Sequence, residues 1–152
     1  MAISNDKEFK SALAGLSTSQ QRQVAASFVQ RVFSLSGDVR IKAALDAAAR
    51  ADVSDAELTV LSGAANTARV ESFTQCGKET DWSAQAGHFV AKAAVACVKA
   101  AEAGEGGNTN LAWDAAMHAR MARTCQTVAD GAGTENVEAG EQYRLLEAFL
   151  NS

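Results

Sequence analysis

An all-α fold, a single-domain antiparallel bundle of about seven helices without disulfides, is predicted by three observations. The 152-residue chain contains no Pro and is rich in Ala, the best helix former and one that loses no side-chain entropy. Apolar residues recur at spacings of three and four, and no run alternates apolar with polar for long enough to compete as a strand. Capping residues stand ahead of the apolar stripes, most often Ser or Asn followed three positions later by Glu or Gln.

Taken in order, Asn5 and Glu8 resemble a capping box, and Phe9, Ala12, Leu13 and Leu16 follow at helical spacing, so a short first helix is expected to about Leu16. Ser17 and Gln20 open a second helix, striped by Val24, Phe28, Val29, Val32 and Phe33 and expected to run to Ser36, where Gly37 stops it. Asp38 is the expected N-cap of VRIKAALDAAARA. Ser54 and Glu57 form the clearest capping box, opening a helix with Leu58, Leu61, Ala65 and Ala68 inward, expected to reach about Thr74 and to close at Gly77.

The stretch 81–103 is the expected central helix. From Ala84 onward it is apolar around most of its circumference, and Gln85, His88, Lys92 and Lys99 form one narrow polar stripe. Such a helix is surrounded by other elements, and its charges are too costly for a bilayer span. GEGGN, from Gly104 to Asn108, reads as an exposed connection. Asn110 caps LAWDAAMHARMARTCQTVA, which Gly131 and Gly133 terminate. Thr134 is expected to open the last helix, with Val137, Tyr143, Leu146, Phe149 and Leu150 available for docking. Short connections favour antiparallel neighbours. A stack of helix pairs is the alternative architecture, although no repeat landmarks are present.

A net charge of −4 with 21% charged residues points to neither a nucleic-acid nor an anionic-membrane partner. The N-terminal MAISNDKEFKSALAGL lacks a cationic segment followed by an apolar run, so no secretory signal is expected. Cys76, Cys97 and Cys125 are odd in number and far apart, which suits a reducing compartment. A cytoplasmic location is expected.

One weak chemical constellation is present. Asp114, His118, Met121 and Cys125 share one side of a helix, where a carboxylate, an imidazole and a thiol could activate a nucleophile or hold a metal. His118 and Cys125 are two turns apart, roughly 10 Å by helix rise, too far for direct proton transfer, so a half-buried face with a core Cys is the simpler reading. His88 and Cys97 are half a revolution out of phase, and a hydrogen-bonded His88 beside a close-approach Gly87 is favoured over a ligand. Arg120 and Arg123 could meet an acidic partner or phosphate, or pair with the chain's own carboxylates. No zinc-type, Glu-x-x-His or phosphate-loop signature occurs. No metal, cofactor or catalytic residue is assigned.

Two segments carry a family resemblance. DVRIKAALDAAARADVSDAEL, Asp38 to Leu58, and AGHFVAKAAVA, Ala86 to Ala96, resemble in order and spacing the Asp-Arg, Ala-rich helix and Gly-His-x-Val-Ala pattern of small helical immunity proteins of bacterial toxin systems. Arg40, Gly87, His88 and Val90 carry its specificity. The resemblance implies a helical protein that acts by stoichiometric capture of another protein.

The expectation is therefore a non-enzymatic protein-binding module, with the binding face near Trp113, Arg120 and Arg123. The rival is a helical enzyme or a thiol or metal protein using His118 and Cys125 with His88 or Cys97. Convergence of two of these four side chains on one concave pocket would favour the rival.

Overall fold

A computed structural model describes residues 2–75, 81–99 and 110–152. Its described residues contain seven α-helices and no strand: α1 (Asp6–Ala14), α2 (Thr18–Gln30), α3 (Val39–Ala48), α4 (Asp55–Gln75), α5 (Trp82–Cys97), α6 (Leu111–Ala129) and α7 (Glu138–Leu150), with a 3-10 turn at Phe33–Leu35. The all-α architecture predicted above is present.

The helix starts follow from local capping. Asn5 Oδ1 accepts from Glu8 N–H at 2.9 Å. Ser17 and Gln20 satisfy each other's backbone N–H groups reciprocally. Asp38 accepts from Arg40 N–H, Ser54 from Glu57 N–H, Asp81 from Ala84 N–H and Asn110 from Trp113 N–H. Each removes one of the donors that a helix start leaves unpaired.

Several helix ends differ from the periodicity, each for a tertiary reason. The second helix stops at Gln30 rather than Ser36. The chain turns there so that Val32 enters the core, and Phe33–Leu35 tighten into the 3-10 turn that lays Leu35 against α5. Gly37 follows at φ 71°, a left-handed conformation that Gly adopts without strain. The third helix ends at Ala48, ahead of Arg50, which turns to pair with Glu57 of α4. The central helix ends at Cys97, because Val98 leaves helical geometry (φ −104°, ψ 8°) while remaining fully buried. The last helix starts at Glu138 rather than after Thr134, because Asn136 supplies the oxygen that accepts Glu138 N–H. The expectations for Gly77, for residues 100–103 and for GEGGN lie outside the described residues.

The core is built around α5, the expected central helix, which packs against α2, α3, α4, α6 and the 3-10 turn. α5 buries Ala86, His88, Val90, Ala91, Ala93, Ala94 and Cys97, and α6 buries a matching row from Leu111 to Cys125, mostly Ala. These small side chains let the two axes approach closely, and α5 against α6 is the most extensive packing in the chain. α2 crosses this pair and supplies the bulk, Val24, Phe28 and Val29, joined by Phe9 and Leu13 of α1. α3 and α4 pack on the other side of α5. α4 is an edge helix: of its twenty-one residues it buries Leu58, Ala65 and Ala68.

A second polar layer fastens α7. Glu138 is buried to 1% exposure and receives hydrogen bonds from Arg31 of the turn after α2 and from Arg123 of α6. Gln142, also buried, accepts from Arg120 Nε at 2.8 Å and donates to the Ala116 carbonyl. No described helix is long and apolar enough to cross a membrane.

Candidate functional site

Arg40 and Gly87 are far apart in sequence, yet α3, α4 and α5 bring them around one cleft of about 180 Å³. Its walls come from the start of α3 (Asp38, Arg40, Ile41), the end of α4 (Ala68, Glu71, Ser72, Gln75) and the start of α5 (Ser83, Ala84, Gly87, Ala91), with Leu35 and Ser36 closing one side. Arg40 bridges two helices. Its guanidinium donates to Asp38 and, at 2.7 Å, to Glu71. This arrangement raises the Arg40 pKa and holds the carboxyls of Asp38 and Glu71 below their usual range.

His88 sits behind the cleft at 7% exposure, its Nδ1 2.8 Å from Ser72 Oγ. The same hydroxyl donates to the Arg69 carbonyl at 2.8 Å. With its hydrogen on that carbonyl, Ser72 offers His88 a lone pair, so Nδ1 carries the proton and donates. A serine so bonded is not activated as a nucleophile. Burial, followed by the Lys92 ammonium, pushes the His88 pKa down, which keeps the ring neutral at pH 7. The hydrogen-bonded interfacial histidine expected from the sequence is what the fold contains.

The His88 ring belongs to a row of four. Phe73 lies 5.6 Å from it, Phe89 lies 6.2 Å away on the other side, and Phe89 stacks on His118 at 6.2 Å with 26° between planes. The row runs from α4 across α5 to α6. Phe89 is half-buried and packs against the core.

The remaining candidates go elsewhere. Asp114 is exposed and His118 half-buried; both line a second, shallower groove with Arg69, Lys92 and Lys99. Cys125 and Cys97 are buried in the core, and burial raises the Cys97 thiol well above its ordinary pKa, which suppresses the thiolate. Neither lines the cleft or the groove. Trp113 is half-buried against Phe9, with Lys10 over its ring. Arg120 makes a bidentate pair with Asp6, bonds Gln142 and lies over Phe9 and Tyr143. Arg123 holds Glu138 and the Arg31 carbonyl. The HARMAR arginines thus pair within the chain and fasten α1, α6 and α7 together.

Sequence reasoning did not single out Val39, Phe73 and Trp82. They are the chain neighbours of cleft-lining Asp38 and Arg40, of Ser72 and of Ser83, and they are 80, 66 and 41% exposed. No group of three or more potential metal-ligating side chains forms among the described residues. Comparison with family models, with curated proteins and with solved structures finds no match.

Proposed function

We propose that the chain is a cytoplasmic, non-enzymatic binding module of the immunity type, and that it captures another protein with the end of the bundle that carries the Arg40 cleft. The observation that supports this reading is the exposure of Val39, Phe73 and Trp82 on the three helix ends that wall the cleft. Large apolar side chains around a polar depression with an arginine match the composition of interface hot spots, in which Trp and Arg are enriched. Arg40 is held rigidly by Asp38 and Glu71, so little conformational freedom remains to be lost on binding. The thiols of Cys97 and Cys125 are buried and the Ser72 hydroxyl is engaged by a carbonyl, so among the described residues the rival chemistry of His118 and Cys125 has no reactive thiol at the cleft.

Immunity proteins are encoded beside their toxins, so the test is co-expression with the product of the adjacent gene, followed by a binding titration. The wild-type chain should form a stoichiometric complex. Phe73→Ala with Trp82→Ala should weaken it by about a thousandfold, at about 2 kcal/mol for each hot-spot side chain, with the far-UV circular dichroism unchanged. Absence of a complex, or equal affinity of the double variant, overturns the proposal.

A further inference from the structure

The groove on the other side of His88 has a different character. It holds about 280 Å³ between the end of α4, the last two turns of α5 and the first turns of α6. Arg69 of α4, Lys92 of α5 and Lys99 just past the end of α5 line it, with His118 of α6, Val95 and Ala96. The chain as a whole carries a net charge of −4, yet among the described residues Asp114 is the single carboxylate that lines this groove. Among the described residues, Arg69, Lys92 and Lys99 make no ion pair, nor do the scattered Lys7, Lys10 and Arg22, whereas Lys42, Arg31, Arg40, Arg50, Arg120, Arg123 and Arg144 all do.

Two of these cations are positioned without being neutralised. Arg69 Nε donates to Asn66 Oδ1 at 3.0 Å, and Lys92 Nζ stands 5.3 Å over the centre of the Phe89 ring. Phe89 in turn stacks on His118. A neutral amide and an aromatic face fix the direction of a charge while leaving its field uncompensated. Cations that line one groove repel one another, and a bound anion relieves the repulsion. The volume falls just below the usual range for ligand sites, about 300–1,000 Å³, which suits a compact anion rather than a nucleotide-sized molecule.

We propose that the groove lined by Arg69, Lys92, Lys99 and His118 is a binding site for a small multivalent anion, of the phosphoryl or polycarboxylate class. The three cations supply charge, and His118 supplies an N–H donor. The apolar Val95 and Ala96 in the same lining limit competing hydration. This site is independent of the Arg40 cleft and of any captured protein.

The groove also provides its own reporter. His118 faces Lys92 of α5 and Asp114 of its own helix, with Arg69 across the groove from α4 and Lys99 beside Lys92. Burial and Lys92 depress its pKa, and Asp114 opposes them weakly. Seating an anion beside it raises that pKa.

The experiment is a calorimetric and NMR titration of the purified chain with pyrophosphate and, separately, with citrate, at low ionic strength. Saturable one-to-one binding is expected for at least one of the two, with the His118 titration midpoint moving up on saturation, and the preferred probe identifies which anion class fits. Lys92→Gln should weaken binding at least tenfold, Lys99→Glu on the exposed end of the groove should weaken it at least as much, and Asp114→Asn should strengthen it severalfold. Lys42→Gln, whose lysine is paired with Asp46, should change nothing. No saturable binding of either anion at millimolar concentration overturns the proposal. So does equal weakening by Lys42→Gln, or an unmoved His118 midpoint. Affinity that appears only with oligonucleotides and grows with their length would replace a small-anion site by a nucleic-acid surface.

Discussion

Gly87 of α5 faces the carbonyl of Leu35 so closely that a Cβ at position 87 would lie 3.2 Å from the Leu35 oxygen. The neighbour is backbone, fixed by the 3-10 turn at Phe33–Leu35, and cannot rotate out of the way. Gly63, in the middle of α4, offers the opposite case, since a Cβ there would meet nothing within 4 Å. Ala exceeds Gly in helix propensity by about 1 kcal/mol. Gly63→Ala should therefore stabilise by about 0.5–1 kcal/mol, while Gly87→Ala should lose that gain to the clash and stabilise not at all. Urea unfolding of the two variants checks this, and a comparable gain at both positions would mean that the Leu35 turn yields easily.

Ser72 and His88 join α4 to α5. Ser72→Ala removes one hydrogen-bond partner of a nearly buried ring while the Arg69 backbone remains as another, so the loss should lie at the low end of the about 1–3 kcal/mol that an unsatisfied buried polar group costs. Denaturant midpoints should fall accordingly. A drop under about 0.5 kcal/mol would show that water reaches His88 and replaces the hydroxyl.

The two histidines set a pH dependence. Both have pKa values lowered in the folded chain by burial and by Lys92. Below the unfolded-state value of about 6.5 the unfolded chain then binds more protons than the folded one. Their contribution to stability is fully present above that pH and is lost as pH falls through the folded-state values. The carboxyls of Asp6, Asp38 and Glu71, lowered chiefly by their hydrogen bonds to arginine, contribute a separate loss below about pH 4.5. Thermal melts should decline in these two windows. In His118→Gln the upper decline should shrink, and an unchanged upper limb in both His88→Gln and His118→Gln would contradict this assignment.

Glu138 is the buried counter-charge of Arg31 and Arg123. Glu138→Ala leaves two guanidiniums facing one another. Removing one partner of a buried pair costs about 3–5 kcal/mol, and the partial exposure of both arginines reduces the expectation to about 2–3 kcal/mol. Arg120→Ala should also destabilise, because it releases Asp6 and uncovers Phe9 and Tyr143. Either variant unfolding at the wild-type urea midpoint would show that α7 docks by its apolar contacts alone.

The legible part of this fold was local. Asn5, Ser17, Asp38, Ser54 and Asn110 each announce a helix start because a cap acts within three residues. The ends of α2 and α5 were not legible, since Val32 and Val98 leave the helix in order to fill a core assembled from distant segments. His88 was readable as a hydrogen-bonded seam residue from its polar stripe and Gly87. Its partner Ser72 was not, because it lies on another helix. Arg120 and Arg123 show the same limit: the sequence places two exposed-looking cations on one helix, and Asp6 and Glu138 reach them from opposite ends of the chain. Phe73 and Trp82 carry no sequence signal of exposure. Their hydrophobicity predicts burial, and the edge position of α4 for Phe73 and the place of Trp82 at the first turn of α5 decide otherwise.

The most direct measurement of the proposed contact face is hydrogen–deuterium exchange on the complex with the adjacent gene's product. Protection should appear on binding at Val39–Ile41, Val70–Gln75 and Trp82–Ala84, with α6 and α7 unchanged beyond their protection in the free chain. Protection confined to α6 and α7, with those three segments exchanging as in the free chain, would place the partner on the opposite side of the bundle and contradict the assignment of the Arg40 cleft.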